Sequence, residues 1–166
     1  MKKLNNLEDL FRHQLRDIYS AESQLAEALP KMRDKSSNKE LQDCFSQHLE
    51  ETKNHKNRLD EIAKSMDIDL SGVNCKAMEG LIKEANSFIS DDAEANVRDA
   101  GIIADAQRIE HYEISAYGTA AQYAKALNHE EAANKLHETL NEESSTDKKL
   151  SQLATNNINV HAKSSS

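Results

Sequence analysis

Residues 41–66, LQDCFSQHLEETKNHKNRLDEIAKSM, place Leu41, Phe45, His48, Thr52, His55, Leu59, Ile62 and Met66 at alternating spacings of four and three. That is the period of one face of an α-helix. Lys53, Lys56 and Arg58 fall on or near the opposite face. The stretch therefore predicts a long amphipathic helix ending near Met66. Its inner stripe is broken at mid-length by His48 and, three residues on, by Glu51 on the same side. An apolar face interrupted by ionisable groups is the feature from which both the fold and the chemistry are read.

The same period extends outward in both directions. Upstream, Leu7, Leu10/Phe11, Leu15, Ile18, Glu22, Leu25 and Leu29 form a stripe, with Asn6 as a capping residue and Glu8 and Asp9 in the first turn. Pro30 is expected to kink or end this helix near Leu29. Ser37 followed by Glu40 reads as a capping box that opens the next helix. Residues 67–93 form a long connection, in which Met78, Leu81/Ile82, Ala85 and Phe88/Ile89 mark a short extra helix. A third long helix covers about 94–127, with Asn128 as its stop. A fourth covers about 130–155, carrying Ala133, Leu136, Leu140, Glu143, Asp147, Leu150 and Ala154. The domain is thus expected over 1–155, and 156–166 as a polar, disordered tail. Two short connections and one long one give an all-α four-helix bundle with a single crossover.

Composition agrees. The chain has 166 residues, a net charge of −8, 4 Gly and 1 Pro, too little punctuation for a sandwich or barrel. Leu, Ile, Val and Phe make up only about a fifth of it, so the core must be assembled by strict periodicity. The acidic balance disfavours nucleic acid and anionic membranes as partners. No stretch approaches a transmembrane span, and the N-terminus lacks a signal-type apolar region. Cys44 and Cys75 have no metal-finger or CxxC spacing and are read as free thiols of a cytoplasmic protein.

Ionisable groups interrupt every inner stripe near its middle: Glu22 on the first helix, His48 and Glu51 on the second, Glu110 and Glu113 on the third, and Glu142 or Glu143 on the fourth. In an up-down bundle these positions share one level. Carboxylates are almost never buried unpaired, and no Lys or Arg on the stripes is placed to neutralise them. Bound cations would, and oxygen-rich coordination with one or two imidazoles suits iron or manganese, with zinc also possible. His55 is read as core or support rather than as a ligand, and His111 as off the row. Tyr19 and Tyr117 are candidates to hydrogen-bond a ligating carboxylate. The stripe centre favours Glu143. An internal repeat at a shift of 91 residues, pairing Ile18 with Ile109, Glu22 with Glu113, Glu51 with Glu142 and Leu59 with Leu150, favours Glu142.

The strings DIYSAESQLAEALPKM (17–32), HLEETKNHKNRLDEI (48–62), RIEHYEISAYGTA (108–120) and ETLNEESSTDKKL (138–150) resemble the YciE/YciF-type family of bacterial ferritin-like stress proteins. The resemblance covers the chain to about residue 155. It implies a ferritin/rubrerythrin-like bundle with a dimetal-carboxylate site, association with stress responses, and a homodimer. The wider ferritin-like pattern has a Glu on two helices and Glu-x-x-His on the other two. Carried across, Glu22 and Glu113 are the lone glutamates, while Glu51 and Glu142 begin the motifs. Asn54 and Ser145 stand where the histidines belong. His48 and Glu110 could take their place. The function so implied is binding of two metal ions at the bundle centre, with redox chemistry toward peroxide or oxygen. The alternative is a non-enzymatic helical scaffold or metal buffer.

Overall fold

The computed structural model describes residues 4–163. Its helices are α1 (Leu7–Lys35), α2 (Lys39–Ser65), α3 (Lys76–Ile89), α4 (Ala95–Ala126) and α5 (Glu130–Leu153). A π-helical turn (Ala154–Ile158) and α6 (Asn159–Lys163) follow. No strand is found among the described residues, and none of their helices is long and apolar enough to cross a membrane. The fold is the all-α bundle that the periodicity predicts.

Helices α1, α2, α4 and α5 form the bundle. Helix α1 packs against α2 and α4, and α5 packs against the same two from the far side. Two apolar clusters occupy its ends. One gathers Leu25, Leu29 and Met32 of α1, Leu41 and Phe45 of α2, Ile102, Ile103 and Ile109 of α4, and Leu150. The other gathers Phe11, Leu15 and Ile18, Leu59 and Ile62, Ala116, Tyr117 and Ala120, and Leu136. The order in which each helix meets the clusters gives its direction: α1 and α5 run one way, α2 and α4 the other. Parallel α2 and α4 cannot be joined by a tight turn, so the connection must climb the whole bundle. Helix α3 does so, burying Met78, Ala85 and Ile89 against α1 and α4. Gly101 of α4 admits it: a Cβ there would sit 2.0 Å from the Phe88 ring.

Three local expectations are corrected. Helix α1 does not stop at Leu29. It passes through Pro30 to Lys35, because Leu29 and Met32 are both buried and packing outweighs the one missing donor. Asn38, not Ser37, caps α2, its side chain accepting from the Leu41 amide at 3.1 Å. The Ser37 amide and hydroxyl and the Asn38 amide all donate to Asp99 of α4, at 2.6–2.8 Å. A buried aspartate from a neighbouring helix thus supplies the anion that the α2 N-terminus favours. Finally, helical backbone continues past residue 155 to Lys163, and Ile158 packs into the first cluster. Residues 164–166 of the expected tail lie outside the described residues.

Other ends agree with the sequence. Asn6 accepts from the Asp9 amide at 2.8 Å. Asn128 adopts φ 63°, the left-handed conformation asparagine tolerates, and so ends α4. Cys44 and Cys75 are free, and Cys75 caps α3 through its sulfur.

Candidate metal centre

Between the two apolar clusters lies a polar layer. On α1, Glu22 follows Ile18 by four residues and precedes Leu25 by three, so the helix that buries those two must bury the glutamate. On α2, His48, Thr52 and His55 sit between Phe45 and Leu59. On α4, Glu110 and Glu113 sit between Ile109 and Tyr117. On α5, Thr139, Glu143 and Thr146 sit between Leu136 and Leu150. None of these nine polar residues is more than 3% exposed. Helix periodicity thus forces four carboxylates and two imidazoles into one buried layer.

Two sets of ligand atoms converge there, each within a 4.8 Å span. His48, Glu110, Glu113 and Glu143 form one; Glu22, His55 and Glu143 form the other. Glu143 belongs to both. Its Oε2 lies 3.9 Å from His48 Nε2 and its Oε1 lies 3.0 Å from His55 Nδ1. His48 Nε2 is also 3.1 Å from Glu110, and His55 Nδ1 is 3.2 Å from Glu22. Tyr117 donates its hydroxyl hydrogen to Glu22.

Internal hydrogen bonding does not satisfy the layer. Both oxygens of Glu113 and of Glu143, one each of Glu22 and Glu110, both His48 nitrogens and His55 Nδ1 are buried without a hydrogen-bond partner. Burying an ionised carboxylate costs several kcal/mol even after relaxation. The protonation states show how the chain copes alone. Burial, reinforced by Glu22, Glu143 and Glu110, pushes Glu113 well above the usual carboxylate range. Burial likewise pushes Glu143 up to about 8, against the pull of His55. Burial opposes charge on both imidazoles, yet the carboxylates prevail. Glu110, Glu51 and Glu143 raise His48 well above its ordinary value, and Glu143 and Glu22 raise His55 to about 10.

The structure divides the sequence-derived candidates. Glu22, His48, Glu110, Glu113 and Glu143 come together in the layer. Glu51 and Glu142 stand at its rim on the α2/α5 seam, with 23% and 34% of their side chains exposed. Glu51 lies 3.7 Å from His48 Nδ1, and Glu142 lies 2.9 Å from His55 Nε2. Each thus faces the outward nitrogen of an imidazole whose other nitrogen faces the layer. The internal repeat reappears as a quasi-two-fold arrangement. His55 contacts Glu142 across the seam, and Thr146, at the repeat position of His55, donates to Glu51 at 3.3 Å.

Two residues depart from expectation. His55 is a full member of the layer; its place on the α2 stripe, seven residues after His48, was the signal. Arg58 does neutralise a rim carboxylate, because its long side chain crosses the seam from α2. It pairs with both oxygens of Glu142 and with Glu138. Tyr19 stays outside the layer, with Lys56 lying over its ring at 5.2 Å. His111 pairs with Asp147 on the surface.

Residues 6–163 match the family model described as "Domain of unknown function (DUF892)". Protein YciF of Escherichia coli (strain K12) is 47% identical over 160 residues, 96% of each chain. The crystal structure of that E. coli stress protein superimposes with a TM-score of 0.91, covering 94% of this chain and 99% of that one. YcfI from Rhodopseudomonas palustris gives a TM-score of 0.87 at 44% identity, covering 90% of this chain and 96% of its own. A protein from Xanthomonas campestris shares the fold at 15% identity and a TM-score of 0.75, covering 95% of this chain and 97% of that one.

Proposed function

The chain belongs to the DUF892 family, and from that premise we propose that it is a dimetal-carboxylate protein acting in a bacterial stress response. Its two ions, iron or manganese, would be held by Glu22, His48, His55, Glu110, Glu113 and Glu143, with Glu143 shared between them. The observation that carries this reading is the set of orphaned buried donors, four carboxylates and two imidazoles, at one level of the bundle. Two divalent cations carry four positive charges. They would neutralise the four buried carboxylates while both imidazoles bind in the neutral form. Oxygen-dominated donors with two nitrogens suit iron and manganese. The description of E. coli YciF as a stress protein supports the biological setting. The reading includes a cytoplasmic homodimer, as the resemblance to the family implies; the apolar face of α3 is buried within the chain, against α1 and α4.

When bound, such ions supply one-electron redox chemistry toward peroxide or oxygen. The protein's own part is to position and to insulate. The apolar clusters above and below the layer keep bulk water out. Glu142 accepts a hydrogen bond from His55 Nε2 and so leaves Nδ1 free to face the layer. Tyr117 holds one oxygen of Glu22. Glu113 and Glu143 hold protons in the metal-free layer and would release them as metal binds.

The test is turnover. Protein loaded anaerobically with Fe(II) or Mn(II) should consume hydrogen peroxide over many cycles, at a rate proportional to bound metal and absent from the apo protein. Stoichiometric metal binding without turnover would favour a metal buffer.

A further inference from the structure

The layer is sealed by the apolar clusters at both ends, so cations must cross the side of the bundle. Two half-exposed carboxylates touch the buried imidazoles, both on the α2/α5 seam, and their surroundings differ. At the Glu142 end the seam is shut. Arg58 pairs with both oxygens of Glu142, donates to Thr139 at 3.2 Å and reaches Glu138 at 2.8 Å. A fixed guanidinium in the opening repels an incoming cation. At the Glu51 end no guanidinium stands in the opening: the Gln47 amide at 2.7 Å and the Thr146 hydroxyl at 3.3 Å hold Glu51 from the seam side. Gln47 also lines a groove of about 450 Å³, together with Asp43, Cys44, Lys149, Leu153 and Asn157. Cys44, Gln47 and Glu51 succeed one another on one face of α2, leading from the groove to the rim. Behind Glu51 lies His48, whose Nδ1 is buried, unpartnered and directed at that carboxylate from 3.7 Å.

We propose that this groove is the cation entrance of the centre, and that Glu51 is its capture carboxylate rather than a resident ligand. A divalent ion would exchange water for Glu51 at the rim and then pass to the donors around His48. Glu51 leaves the Gln47 and Thr146 contacts for the ion without breaking a guanidinium pair of the kind that holds Glu142. The groove wall carries Glu40 and Asp43 against the single Lys149, so it does not repel an incoming cation as Arg58 does at the other end. This rests on the two-metal reading above.

The experiment is stopped-flow Co(II) uptake by the full-length apo chain, followed by chelator-driven release and an equilibrium measurement. An entrance group speeds arrival and departure alike. Glu51→Gln should therefore slow both rates by about tenfold or more and change the dissociation constant by less than about threefold. Alkylating Cys44 with a bulky maleimide should slow both rates as well, with circular dichroism confirming the fold. Glu138→Gln, at the shut end, should leave them unchanged. Faster release from Glu51→Gln with unchanged uptake would make Glu51 a ligand and overturn the proposal. Wild-type rates in both the Glu51 variant and the alkylated protein would also overturn it. Absence of Co(II) binding by the wild type at equilibrium would instead remove the centre itself.

Discussion

Glu143→Gln is expected to abolish tight binding of both metal ions at once. Glu143 is the carboxylate that both ligand groups contain, with one oxygen toward His48 and the other toward His55. Glutamine keeps the shape and loses the charge, so each position forfeits an anionic donor. The loss should exceed the roughly 10- to 100-fold typical of a residue that only supports a ligand. Its neighbour is the control. Glu142→Gln should cost about tenfold, because Glu142 touches the outer nitrogen of His55 and is already committed to Arg58. Isothermal titration of Mn(II) into the two variants separates the positions. Equal losses would mean that the ligand is not chosen by burial.

The second large effect concerns pH. In the apo protein the native pKa of Glu143 is raised to about 8 and that of Glu113 is raised well above the usual range. A raised native pKa contributes stability below the unfolded value and loses it as pH climbs through the native value. His55, raised to about 10, has the same sign. The apo protein should therefore lose stability from about pH 4.5, where the two glutamates begin to contribute, to about pH 10, and a thermal melt should show it. Glu51, held near 2 chiefly by His48 and also by Gln47, has the opposite sign: its stability is present at neutral pH and is lost only as pH falls from about 4.5 toward 2. Metal binding must displace these protons, so affinity should rise with pH by on the order of tenfold per unit for each proton released. A hundredfold excess of metal over its dissociation constant should add about 2.7 kcal/mol, with the largest rise in Tm at alkaline pH. Glu143→Gln mimics the protonated acid, so its apo form should resist alkaline melting better than wild type. A wild-type apo Tm that is flat from pH 6 to 10 would contradict the assigned electrostatics.

Much of this was legible in the sequence, for a reason that also sets its limits. Helical period fixes which side of each helix is buried, and that alone carries Glu22, His48, Glu110 and Glu113 into one layer. Glu142 and Glu143 are adjacent, hence about 100° apart around the helix. The α5 stripe pointed at Glu143 and the internal repeat at Glu142. The repeat does relate Glu51 to Glu142, since both stand at the rim, but it says nothing about depth. His55, read as core or support, lies on the same α2 stripe seven residues after His48, and that stripe turns it into the layer. Arg58 and Asp99 lay beyond such reading for another reason. Arg58 reaches across the seam to Glu142, and Asp99 reaches from α4 to the start of α2. Their partners are distant in sequence, and a single helix's period does not encode them. The continuation of α1 through Pro30 is of the same kind, since it is decided by packing against other helices.

The most direct test of the two-metal centre is anomalous diffraction from crystals of the protein soaked in Mn(II) or, without oxygen, in Fe(II). Two anomalous peaks per chain are expected. One should lie among His48, Glu110, Glu113 and Glu143, the other among Glu22, His55 and Glu143, and both should vanish in Glu143→Gln crystals. No peak in the polar layer at saturating metal, or peaks bound to Glu51 and Glu142 at the rim, would contradict it.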